Sequence, residues 1–335
     1  MRLSPYLSVP LLASLLLLLS LISLLSGAMP LTLADTWKAL WGNADLAHQL
    51  VIWQIRLPRT LMSMAVGALL ALSGAVLQGL FRNPLADPGI IGVSGGAALG
   101  AGLSIVLLPG IALPWLAFGS TTLFAFLGGM LTTLLVYRLG RSRNGTSMSM
   151  MLLAGVAVGA IAFSTLGVLN YIADDNQLRD LSLWQMGSLA GAEWARVGVS
   201  LLMALLFWLW SQRQAGALNA LLLGEPEARH LGVNIERLKG GAILLCALAV
   251  GTAVAAAGMI GFIGLMVPHL VRLISGPDYR RLLPLSAIGG ALLLLFADLL
   301  ARKLAPPAEI PVGLITALLG APFFLWLLKR QGQRR

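Results

Sequence analysis

The residue types that could do chemistry are few, and their spacing removes most of the options. The three histidines, His48, His230 and His269, fall in different segments, so no H-x-x-x-H pair can hold zinc. The single cysteine, Cys246, lies inside an apolar run. It excludes a disulfide framework and a cysteine-based metal site, and its plain role is that of a small buried side chain. None of the four lysines, Lys38, Lys239, Lys303 and Lys329, is followed by Ser or Thr. A G-x-x-x-x-G-K-[ST] phosphate loop is therefore impossible, and the chain does not hydrolyse ATP that way. An intramembrane enzyme is not expected. Ion-coupled carriers keep ionisable groups near mid-membrane, and only Asp298 comes close, in the apolar stretch LLLLFADLLARKLA near the outer end of its span. Arg302 follows it at i+4 on the same helical face, so the reading is a structural salt bridge.

The elements that position these residues are membrane spans. Of 335 residues, 58% are hydrophobic and only 11% are charged, and mean hydropathy is +0.87. An ordinary soluble domain carries roughly 25% charge. The composition also excludes disorder, which needs low hydrophobicity and high charge. An all-α polytopic membrane protein follows, because a span needs about 20 apolar residues and the chain has room for about ten. Apolar runs bounded by Pro, Gly or charge predict spans at 7–28, 60–81, 91–108, 114–137, 147–171, 196–211, 240–257, 259–275, 282–304 and 311–328. The first, after Arg2, is longer than a signal-peptide core of roughly 7–15 residues and reads as a retained helix. Gly- and Ala-rich runs such as 92–102 and 251–264 predict close helix packing. Residues 1–335 form one transmembrane domain.

The net charge of +10 is distributed by topology rather than as a nucleic-acid surface. With the N-terminus cytoplasmic, 16 of 23 basic residues fall on inner segments, among them Arg2, Arg334 and Arg335, and seven on outer ones. Both termini are thus expected to be cytoplasmic. The long outer connection, 29–59, carries Trp37, Trp41 and Trp53, which suit an interfacial belt or a short surface helix. The long inner one, 212–239, reads as a pair of short amphipathic helices. Gly224 ends the first, and Glu225-Pro226-Glu227 opens the second. That is a partner-docking surface. The chain has a pore-forming body without a motor, which points to a transport subunit driven by another protein.

Several stretches together carry a resemblance: QIRLPRT (54–60), the run from Gly67 to Ala101 with NPLADPG, LLAGVAVGA (152–160), LGEPEARHLGV (223–233), GMIGFIGLMVPHLVRL (258–273), LLFADLLAR (294–302) and EIPVGLITALLGAPFFLWLL (309–328). In order and over nearly the whole chain, they resemble the FecCD-type permeases of ATP-driven (ABC, type II) importers for iron–siderophore complexes, haem and vitamin B12. Within that group the chain is most similar to bacterial haem (hemin) permeases.

The resemblance implies a homodimer with a path at its two-fold axis, two cytoplasmic ATP-binding subunits, a periplasmic substrate-binding protein and residence in the bacterial inner membrane. It implies haem as transported cargo, with ferric siderophore or cobalamin as alternatives, and no cofactor bound by this chain. Matching positions assign binding-protein docking to Arg56, Arg59 and Arg302, with Lys303 adjoining them. They assign ATPase coupling to Gly224, Glu225, Arg229 and Gly232 within 218–233, and the cytoplasmic gate to Ser147, Met148 and Ser149. His269 in VPHLVR takes a structural role, as does the turn of Asn83, Pro84, Asp87 and Pro88. An ion-coupled secondary carrier, resting on the many spans and Asp298, is the alternative from another class.

Overall fold

In an apolar surrounding every backbone N–H and C=O must be paired within its own segment, so long apolar runs become helices. The computed structural model describes residues 5–108, 119–143, 145–306 and 308–332, and these are mostly helical. Arg2, Arg334 and Arg335, and the start of the expected 114–137 span, lie outside the described residues.

Helix α1 (Pro5–Leu25) leads to the short α2 (Leu33–Leu40), which opens with a capping box between Thr32 and Asp35. Helix α3 (Leu46–Leu50) then runs without a break through a π-helical stretch, Val51–Arg56, into α4 (Leu57–Leu80). The second span therefore starts near Leu46 rather than at residue 60, and the expected outer connection is correspondingly shorter. Its polar residues mimic a solvated loop, yet a helix can carry them when their side chains find partners inside. The π stretch just precedes Pro58, which has no N–H to give the preceding turn.

A 3-10 turn, Pro88–Ile91, precedes α5 (Val93–Gly102), and α6 (Gly119–Gly140) follows later. Two short antiparallel strands come next, β1 (Arg141–Ser142) and β2 (Gly145–Thr146), with Arg141 opposite Thr146. This hairpin departs from the all-helical expectation. Helix α7 (Met148–Ile172) is followed by α8 (Asp175–Met186), a twelve-residue helix started by an Asp174/Gln177 capping box that the apolar pattern did not signal.

Helix α9 (Trp194–Leu221) extends well past the expected end at 211. The first of the two expected amphipathic helices is thus the end of α9. Polarity at 211–214 marks where apolar character stops, not where a helix must, and no proline or positive-φ glycine interrupts the segment before Gly224. Then come α10 (Glu225–His230), α11 (Ile235–Ala257), α12 (Ile263–Ser275), α13 (Tyr279–Lys303) and α14 (Val312–Gly332). Among the described residues, each expected span falls on a helix, and six helical segments are long and apolar enough to cross a membrane.

Helix α4 is the central post: 83% of its most apolar window is buried, against 22% for α7 and for α9. Small residues make that burial possible. Gly67 of α4 crosses Gly290 of α13, and Gly74 of α4 lies on the Gly264 carbonyl of α12. Without a Cβ in the way, the backbones approach closely enough for dispersion to hold helices together where water cannot drive them.

Candidate functional site

Among the described residues, groups of polar side chains break the apolar body at its two ends. At one end, the last turn of α13, the start of α4 and the end of α1 meet. Arg59 donates from Nε to Asp298 Oδ1 at 2.9 Å, and its Nη2 lies 2.9 Å from the same oxygen. Its Nη1 reaches both oxygens of Glu309, at 3.1 and 2.8 Å. Arg302 Nη2 is 3.0 Å from Asp298 Oδ2 and 2.8 Å from Ser23 Oγ. Arg56 donates to the Leu24 carbonyl at the end of α1 and to the Met29 carbonyl in the turn beyond it. Asp298 is fully buried, and the side chains of Arg59 and Arg302 are 9% and 8% exposed.

The expected Asp298–Arg302 bridge is present, with Arg59 as a third member. The sequence suggested that Arg56, Arg59 and Arg302 face outward; instead their guanidiniums are turned inward and occupied, while Lys303 is exposed. The geometry explains why. Removing a charge from water is tolerable only with an opposite charge and full hydrogen bonding, and Asp298 supplies this to two cations at once.

At the opposite end, the Lys239 side chain is 3% exposed although it is a lysine. Its Nζ lies 2.8 Å from Glu225 Oε1 on α10 and 3.8 Å from Glu236 Oε1 on its own helix, and it donates to the Thr146 carbonyl of β2 at 2.9 Å. Glu236 Oε2 in turn accepts from Thr146 N at 3.1 Å and Thr146 Oγ1 at 2.8 Å. Gly224 has φ +134 and Gly232 φ +83, backbone settings that favour glycine, so α10 is bounded by two forced turns. Arg229, Leu222, Leu223 and Leu231 are exposed around it. Nearby, Asn219 of α9 donates to Asp278 Oδ1 at 2.7 Å and accepts from Tyr279 N at 2.9 Å, tying α9 to the start of α13. Sequence reasoning missed Lys239, Glu236 and Thr146. The i,i+3 spacing of Glu236 and Lys239 was a signal; the partners on α10 and β2 were not readable locally.

The expected gate residues sit beside this cluster. Ser147 caps α7, its Oγ accepting from Met150 N at 3.3 Å. Met148 is partly buried against the core, and Ser149 and Met150 are exposed. Met151 is fully buried and packs beside Gly140, so it is core rather than a metal ligand. The turn at 83–89 is held by its own side chains: Asn83 Oδ1 accepts from Leu85 N and Asp87 Oδ1 from Gly89 N. His269 stacks edge-on to Phe323 at 6.2 Å.

Gly92-Val93-Ser94-Gly95-Gly96 spells G-x-S-x-G, but a nucleophile elbow needs a strand running into a helix. Here a 3-10 turn comes first. Among the described residues no group of three His, Cys, Asp or Glu side chains is placed to hold a metal ion. A groove of about 550 Å³ runs between α7, α8 and α14, lined by Asn170, Leu178, Ser182, Met186, Met259 and Leu314.

A multi-pass helical body, locked by buried charge at one end and braced to a short helix at the other, is the membrane subunit of a transporter. The chain belongs to the FecCD transport family, whose model matches residues 15–330. It is 47% identical over all 335 residues, covering 98% of the relative, to the hemin transport system permease protein HmuU of Yersinia pestis. It is 43% identical over 319 residues, 95% of each chain, to the vitamin B12 import system permease protein BtuC of Salmonella typhi. Among solved structures it resembles a metal-chelate type ABC transporter in an inward-facing conformation, with a TM-score of 0.85 and 36% identity, covering 96% of this chain and 98% of that one. PsaBC from Streptococcus pneumoniae, at 18% identity and a TM-score of 0.58, shares the fold.

Proposed function

We propose that this chain is the permease subunit of an ABC importer that moves haem from periplasm to cytoplasm across the bacterial inner membrane. The observation that carries the reading is the full-length 47% identity to a hemin permease. In this reading ten helices cross the bilayer, both termini are cytoplasmic, and two copies form the path. The basic excess at the Lys239 end supports placing that end in the cytoplasm. ATP is hydrolysed on separate subunits that seat against 218–233, with Gly224, Glu225, Arg229 and Gly232 forming or shaping the contact. Ser147, Met148 and Ser149 close the path below. A substrate-binding protein docks at the Arg59 end, where Lys303 offers an exposed cation and Arg56, Arg59 and Arg302 hold the rim in place.

Ferric siderophore and cobalamin are the alternative cargoes, supported by the family and by the similarity to a vitamin B12 permease. The ion-coupled carrier loses its main support, because the Asp298 carboxylate is already held by two arginines. The test is uptake into proteoliposomes containing the permease, its ATPase and its binding protein, with haem, ferric siderophore and cobalamin compared. ATP-dependent accumulation of haem is expected. Uptake by the permease alone on a proton or sodium gradient overturns the reading, and preference for another chelate overturns the cargo.

A further inference from the structure

We propose that Lys239 is the mechanical link that carries motion of the ATPase-facing helix to the cytoplasmic gate. The inference rests on the coupling and gate roles given above and deepens them. A lysine whose side chain is 3% exposed is unusual, and this one is satisfied by groups from three separate elements: Glu225 on α10, Thr146 on β2 and Glu236 on α11. An ammonium has three donors, and here each has an acceptor or counter-charge. Such a group cannot release a carboxylate without being left as an under-compensated buried charge. Displacement of α10 therefore draws Lys239 with it, or is resisted by it.

The other side of the link is equally short. Thr146 is gripped by Lys239 at its carbonyl and by Glu236 at its amide and hydroxyl. The next residue, Ser147, is the N-cap of α7. A shift at Glu225 thus reaches the first turn of α7 through one side chain and one peptide. Glu225 points inward at Lys239, which assigns it to transmission, while Arg229, Leu223 and Leu231 remain free at the surface of the same segment.

Lys239 is a positioning residue, so its test is a ratio that assembly alone does not move. In the full complex in proteoliposomes, ATPase retention, ATP hydrolysis and cargo uptake are measured together. Lys239→Met is expected to keep the ATPase and its hydrolysis while uptake per ATP falls by roughly tenfold, the scale of a lost coupling contact. Lys239→Arg is expected to restore the ratio. An unchanged ratio in Lys239→Met overturns the proposal. If that variant does not assemble, Glu236→Ala decides, because Glu236 lies outside 218–233 and grips Thr146 at its amide and hydroxyl: a reduced ratio with ATPase retained supports the link. An unchanged ratio, or loss of the ATPase itself, overturns it. A wild-type complex that hydrolyses ATP without importing any cargo, or holds no ATPase, sinks the functional reading instead.

Discussion

Asp298 and Arg59 stand 239 positions apart in the chain, yet the Arg59 Nε and Nη2 both lie 2.9 Å from the same carboxylate oxygen. The pair joins α13 to α4, the two helices whose backbones also touch at Gly67 and Gly290. Because the carboxylate is fully buried and also faces Arg302, it organises one whole end of the molecule. Ser23 extends the network to α1 through Arg302 and through Thr60 at 2.8 Å.

Removing the shared anion is therefore predicted to be severe. Asp298→Ala leaves Arg302 without a carboxylate and Arg59 with only the partly exposed Glu309, and should cost about 3–5 kcal/mol, the scale for a broken buried pair. Glu309→Gln, at a side chain 43% exposed, should cost about 1 kcal/mol or less. Thermal melting in detergent checks both. Equal losses would mean that the network does not converge on Asp298.

That burial changes which variants can test partner docking. Reversing Arg56 or Arg59 would break the α1–α4–α13 junction before it altered a surface. Lys303 is exposed at the same end, so Lys303→Glu should leave the melting temperature unchanged and weaken association with an acidic binding protein, more at low salt than at high. Affinity measured at two ionic strengths decides. An unaltered affinity at low salt removes Lys303 from the docking surface.

The sequence made the apolar helices legible because each carries its own signal. Where a residue's fate depended on distant partners, local reading failed. Arg56 and Arg59 look like an outward basic pair until Asp298 and the end of α1 are brought to them. Lys239 looks like a topology marker at the foot of a span until Glu225 and Thr146 close around it. The end of α9 differs from the expected one for another reason: apolar character stops at 211–214, but the helix continues to Leu221.

Asp278 predicts a defined acid dependence. Its carboxylate accepts from the Asn219 amide and the Arg280 N–H, and the Asn219 bond leads the causes that hold its pKa below the ordinary 3.8. A depressed folded pKa adds stability that is complete above the unfolded value and is lost as pH falls through the folded one. Asn219→Ala should therefore lower stability above that range and flatten the acid limb of the melting curve. An acid limb identical to wild type would remove Asp278 as its source.

Helix packing gives a paired prediction. A Cβ at Gly74 would run into the Gly264 carbonyl of α12, which is backbone and cannot swing away. Gly74→Ala should destabilise by about 1–3 kcal/mol through overpacking. Gly216, in the exposed part of α9, has nothing within 4 Å of that position. Gly216→Ala should be neutral or stabilising by up to about 1 kcal/mol, since Ala loses less backbone freedom on forming a helix. Comparable losses at both sites would contradict the close α4–α12 crossing.

The exposed leucines beside α10 make the last prediction. Leu223 is 65% exposed and Leu231 64%, one before and one after a six-residue helix bounded by glycines of positive φ. Neither packs on the chain's own core, so the fold does not require them. Burying a leucine against a partner contributes roughly 1.5–3 kcal/mol. Leu223→Asp and Leu231→Asp should each leave the stability of the isolated permease within about 0.5 kcal/mol of wild type, as surface changes do. Each should also lower the amount of ATPase that co-purifies by roughly tenfold or more, the factor that such a loss implies. This separates seating from transmission: here the ATPase itself is lost, whereas at Lys239 it stays bound and works without effect. Full ATPase retention in both aspartate variants would place the docking surface elsewhere than 218–233.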